Sequence, residues 1–168
     1  MQVRGFVIAA SGLKAEARIA ERSAGVRAVA GGGDETRLAA LIEQAIADGA
    51  RGIISFGIAG GLQPGLVSGT CIVGTSAVVD GRAYPTDKAW SQRIAALLPD
   101  AERGPIAGSR MPAASSDAKK ALHDATGAIA VDMESQVVAR IANARRLPFA
   151  ILRVVADGAD QRLPPAAL

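Results

Sequence analysis

The 168 residues suit a single domain that buries a core of its own. Hydrophobic residues at 49% and charged residues at 21% exclude a disordered chain, and 3% aromatics argue against a nucleic-acid platform built on stacked bases. The net charge of +3 is scattered, and its densest clusters, Lys119–Lys120 and Arg145–Arg146, read as solvated faces, so no nucleic-acid partner is expected.

One cysteine, Cys71, allows no internal disulfide. With one histidine, His123, a His/Cys zinc site is not expected; carboxylate ligands stay formally open, and no metal site is assigned. No stretch reaches the roughly 18 apolar residues of a membrane span. The first ten residues read as a strand and not a leader, so a cytoplasmic location is expected.

In chain order, the apolar run 3–10 predicts a first strand, and residues 13–22 a helix. Residues 26–30 form a second short strand that ends in Gly31-Gly32-Gly33. Asp34 suits the N-cap of a helix whose stripe is Leu38, Leu41, Ile42, Ala45 and Ile46, and Gly49 suits its stop. Residues 52–58 read as a strand covered on both faces, followed by a turn-rich loop, AGGLQPG. Residues 70–79 predict one or two strands, and 87–98 a helix with Trp90, Ile94 and Leu97 on one side. Segment 105–112 fits neither period. Residues 116–124 predict a helix, 128–131 a strand, 133–145 a helix and 149–155 a last strand. This alternation predicts an α/β fold: a single three-layer domain, 1–168, around a central mixed, mainly parallel sheet.

Ligands of such sheets bind beyond the carboxyl ends of the strands. No dinucleotide fingerprint, Walker loop or nucleophile elbow is present. His123 lies in a polar helical segment and reads as a surface residue. Glu16, Glu134 and Asp157 each follow a strand. Singly, each has an ordinary role: an exposed early-helix acid, a helix N-terminal acid, a turn residue. Together with Arg153 they are expected to converge at one sheet edge, an arrangement suited to stabilising a sugar cation.

Three blocks carry a resemblance. IAVDMESQVVARIANARRLPFAILRVVADGAD (129–160) and FGIAGGLQPGLVSGTCIV (56–73) resemble the purine and uridine phosphorylase and nucleosidase superfamily. SGLKAEA (11–17) resembles the first loop of the methylthioadenosine/S-adenosylhomocysteine nucleosidases, and the tail DQRLPPAAL is most similar to the hopanoid-associated phosphorylase branch, which removes adenine from adenosylhopane. The resemblance implies cleavage of the N-glycosidic bond of an adenine nucleoside with an apolar 5′ substituent.

It further implies that Asp157 protonates the purine N7, for which its pKa is expected to be raised. Glu134 grips the ribose hydroxyls, and Met133 packs against the sugar. Glu16 activates water, and Arg153 is the nearby cation. Ile58, Ala59 and Gly60 form the loop at the substrate, and Met111 stands where an aromatic residue usually stacks on the base. Ile58 replaces a hydroxyl residue and Ala156 a common serine, which removes polar contacts near the nucleophile and near Asp157. The family's chains continue past the position of Leu168, so its C-terminal helix is expected to be missing. No cofactor is implied. Phosphate stays open as a co-substrate, although Glu16 in the first loop favours water. Expected partners are a small purine nucleoside and a second copy of the chain in a homo-oligomer, with peripheral membrane contact left open. The alternatives are a phosphate-dependent purine nucleoside phosphorylase, a catalytically impaired nucleoside-binding protein of the same fold, or a structural module.

Overall fold

Three aspartate or serine caps start helices where the sequence places them. Asp34 accepts from the Arg37 amide at 2.9 Å, Asp87 from Trp90 at 2.7 Å and Ser115 from Ala118 at 3.2 Å. In this computed structural model, which describes residues 5–163, they open α2 (Glu35–Ala47), α3 (Lys88–Leu97) and α4 (Ser116–Thr126). Gly127, at φ 66°, ends α4 in the left-handed conformation that glycine adopts without steric cost. The other helices are α1 (Lys14–Ala20) and α5 (Ser135–Arg145).

The strands are β1 (Phe6–Ser11), β2 (Val26–Ala30), β3 (Ala50–Gly61), β4 (Cys71–Val79), β5 (Arg82–Pro85), β6 (Glu102–Gly108), β7 (Ala130–Asp132) and β8 (Phe149–Asp157). Their order is β2-β1-β3-β7-β6-β4-β5, with β8 paired to both β3 and β4. The pairs β1–β2, β1–β3, β3–β8, β4–β6 and β6–β7 are parallel; β3–β7, β4–β5 and β4–β8 are antiparallel. The domain is therefore α/β with a mixed, mainly parallel sheet, as the alternation predicts. Fully buried Ile8, Ile53, Ile72, Ile106, Ile151 and Val138 fill the space between sheet and helices.

Several boundaries differ from expectation. Residues 59–61 continue β3 and are not loop, because Gly60 and Gly61 pair with Val131 and Ala130. The ambiguous segment 105–112 contributes the end of β6. The hairpin β4–β5 turns at Asp80 and Gly81, both at positive φ, a turn the apolar periodicity does not signal. Helix α5 starts at Ser135, leaving Met133 and Glu134 in the connection after β7. Residues 3 and 4 of the expected first strand, and 164–168 of the tail, lie outside the described residues. Among the described residues, no helix is long and apolar enough to cross a membrane.

Candidate active site

The turn from β1 into α1 is built on Glu16. Its Oε2 accepts hydrogen bonds from the amides of Gly12 at 3.1 Å and Leu13 at 2.8 Å, the unpaired donors of a helix start. Its Oε1 accepts from the Ile58 amide at 2.9 Å, on β3. Glu16 is thus 8% exposed and not the solvated early-helix acid that its place in the sequence allows. Two glycines make room for carboxylates. A Cβ on Gly57, whose φ is +149°, would stand 2.6 Å from Glu16 Oε1 and 2.9 Å from Arg153 Nη1. A Cβ on Gly12 would stand 2.6 Å from Glu134 Oε1.

Arg153, on β8, is fully buried among these groups. Its Nη1 lies 3.2 Å from Glu134 Oε2 and donates to the Ile58 carbonyl at 3.3 Å; Nη2 donates to Ser55 Oγ. Nε lies 2.8 Å from Asp132 Oδ2, but its N–H is not aimed there and makes no hydrogen bond, so that contact is electrostatic. Asp132 closes β7 and caps α5: its Oδ1 accepts from the amides of Glu134 at 3.0 Å and Ser135 at 2.7 Å. Ser135 Oγ also donates to Asp132 Oδ2 and shares a hydrogen bond with Ser55 Oγ at 2.9 Å. One guanidinium therefore faces Asp132, Glu134 and, through Gly57, Glu16. Burial pushes the Glu134 carboxyl above its usual pKa; Arg153 opposes that shift, and the neighbouring Asp132 and Glu16 add to it.

Asp157 ends β8, opposite Gly60 on β3. The register shift between Ala59 and Gly60 seats it at the strand terminus. Its partner is a cation the sequence does not suggest. Lys119, on α4, is completely buried and ion-paired with Asp157 Oδ2, and also donates to the carbonyls of Gly158 at 2.6 Å and Gln161 at 2.9 Å. The reading of Lys119–Lys120 as a solvated pair is corrected here. Only Lys120 is exposed, paired with Asp124; on a helix, adjacent side chains point about 100° apart. His123 is half-buried at the surface of α4, and its Nδ1 lies 2.7 Å from the Ala128 carbonyl.

Glu16, Glu134, Arg153 and the Ile58 backbone thus form one cluster, while Asp157 and Gly60 stand together further along the strand ends. Met133 is half-buried in a narrow cleft beside Glu134, lined also by Asp34, Glu35 and Arg110. Ala59 is buried, Ile58 is 48% exposed and Met111 is 74% exposed. Sequence reasoning missed Ser55, Gly57, Ser135 and Lys119, and assigned Asp132 no role in the site. Asp132, two residues before Glu134, carried a signal as a helix-start acid; Lys119 carried none.

The family model of the Phosphorylase superfamily matches residues 22–166, and the chain belongs to that superfamily. Solved structures share the fold. An S-adenosylhomocysteine nucleosidase from Streptococcus pyogenes, in complex with 5-methylthiotubericidin, has a TM-score of 0.81 at 18% identity, over 95% of this chain and 87% of that one. The 5′-methylthioadenosine/S-adenosylhomocysteine nucleosidase from Helicobacter pylori, with butyl-thio-DADMe-Immucillin-A, has a TM-score of 0.82 at 20% identity, over 95% and 88%. A Streptococcus pneumoniae MTA/SAH nucleosidase in complex with 8-aminoadenine has a TM-score of 0.82 at 19% identity, over 92% and 87%. No curated protein matches the sequence.

Proposed function

We propose that this chain is a nucleosidase: it cleaves the N-glycosidic bond of an adenine nucleoside with water and releases adenine. The observation that carries the reading is the buried cluster of Glu16, Glu134 and Asp132 around the single cation Arg153. Such a cluster stabilises the positive charge that develops on a sugar as its C–N bond breaks. Glu16 is the base that takes a proton from the attacking water. Its oxygens are fixed by three backbone amides and need no reorganisation during the reaction. Glu134 accepts the ribose hydroxyls, Met133 packs on the sugar, and Asp157 delivers a proton to N7 so that the base leaves neutral. Ile58, Ala59 and Gly60 line the approach, and Met111 covers the base.

The same cluster disfavours phosphate as the nucleophile. A dianion would meet three carboxylates, and Arg153 is already occupied by four partners. Lys14 and Arg18, the other cations of the first loop and α1, are exposed. In its finer form, the substrate carries an apolar 5′ group, and adenosylhopane in hopanoid biosynthesis is the natural nucleoside. The exposed Leu13 beside Glu16 and the half-buried Met133 support an apolar 5′ neighbour.

The test is adenine release from 5′-methylthioadenosine and 5′-deoxyadenosine, together with the melting temperature in adenine. Release of adenine is the expected result. A ligand-dependent rise in melting temperature with no release would make the chain a binding protein of the same fold.

A further inference from the structure

Lys119 is 0% exposed, and a buried ammonium is costly unless every proton has an acceptor. Here all three are used: one on Asp157 Oδ2 and two on the carbonyls of Gly158 and Gln161. The Gly158 amide in turn donates to Gln161 Oε1 at 2.8 Å, so the turn after β8 closes around the ammonium. An apolar side chain of the same length would fill the space with no charge to compensate. The cation is therefore tied to the strand end that carries Asp157. Among the described residues no hydrogen bond reaches Asp157 Oδ1, and the carboxyl keeps 18% of its side chain exposed. One oxygen is clamped, and the other is left for a ligand to meet.

We propose that Lys119 is the positioning residue of the acid. It holds Asp157 Oδ2 so that Oδ1 meets the leaving base. This rests on the glycosidic cleavage proposed above. In the step, Asp157 takes up a proton from water on Oδ1 and passes it to purine N7, and the C1′–N9 electron pair stays on N9. The base leaves as neutral adenine, the sugar becomes an oxocarbenium ion, and Asp157 returns to the carboxylate paired with Lys119. Water then adds to C1′ and gives its proton to Glu16.

The role is separable from a structural one by the leaving group. Adenine needs the proton; 4-nitrophenolate does not. The experiment compares wild type, Lys119→Met and Lys119→Gln on 5′-methylthioadenosine and on 4-nitrophenyl β-D-riboside, with melting temperatures recorded for each. For adenine release, kcat should fall about 100-fold or more, the scale of general-acid catalysis, while KM changes little. Nitrophenol release should stay near wild type. Equal losses on both substrates, or no loss on adenine release, would overturn the proposal. The glutamine variant keeps a hydrogen-bond donor for the loop carbonyls and carries the comparison if the methionine variant does not fold. Failure of the wild type to release adenine would instead remove the nucleosidase reading on which the proposal rests.

Discussion

The amide of Ile58 donates to Glu16 Oε1 at 2.9 Å, while the carbonyl of the same residue accepts from Arg153 Nη1 at 3.3 Å. The main chain of β3 thus sets both the carboxylate and the guanidinium. The link runs through the main chain, and the Ile58 side chain takes no part in it.

Glu16→Gln should reduce adenine release by about 10²–10⁴-fold, the usual contribution of a positioned general base. Its new NH₂ would also face a backbone N–H, at a cost of about 1–3 kcal/mol. Adenine release and a urea unfolding curve measure the two effects. Unchanged turnover in a folded variant would remove Glu16 from the reaction.

Gly57→Ala should be damaging although it adds one methyl group. The φ of +149° strains any side chain there, and the Cβ would stand 2.6 Å from Glu16 Oε1. The expected outcome is a loss of about 1–3 kcal/mol of stability with a fall in adenine release. Gly104→Ala would also clash, but with the side chain of Ile129, so it should lower the melting temperature while sparing turnover per folded molecule. Equal effects of the two variants on turnover would contradict the cradle at Gly57.

Much of this architecture is legible in the amino-acid sequence. Strand-end acids in an alternating α/β pattern converge because parallel strands place their carboxyl ends together, and Glu16, Glu134 and Arg153 do so. What was not legible follows from tertiary packing. Lys119 and Lys120 are adjacent and identical, and only the fold decides which one turns inward. Ser55 sits inside an apolar run, where its hydroxyl reads as incidental; its use depends on Arg153 and Ser135 arriving from distant segments. Strand β6 was hidden by Gly104 and Pro105, which break the pattern of a strand. Lys119 supplies the partner of Asp157 from a distant helix, which no local reading anticipates.

Glu134 should leave a pH signature on stability. Burial raises its folded pKa above the ordinary 4.5, so the folded protein holds the proton where the unfolded chain has lost it. Its contribution is constant below the unfolded value. Stability then falls as pH rises from that value through the raised folded pKa, and levels off above it. Glu134→Gln should remove that decline, so the melting temperatures of variant and wild type should diverge with rising pH in this window. A constant difference between them would contradict the shift.

Arg153→Met should cost about 3–5 kcal/mol, because it leaves buried Asp132 and Glu134 without their cation. Arg153→Lys should recover only part of this, since an ammonium cannot span Ser55, Ile58 and both carboxylates as a guanidinium fork does. Denaturant unfolding of the two variants checks the order. A lysine variant as stable as wild type would show that the fork geometry is not needed.

The most direct test of the account is adenine release from 5′-methylthioadenosine in phosphate-free buffer, repeated with added phosphate. Three carboxylates around one buried guanidinium predict release without phosphate, free sugar as the second product, and no acceleration when phosphate is added. Release only in the presence of phosphate, with a sugar 1-phosphate as product, would contradict it.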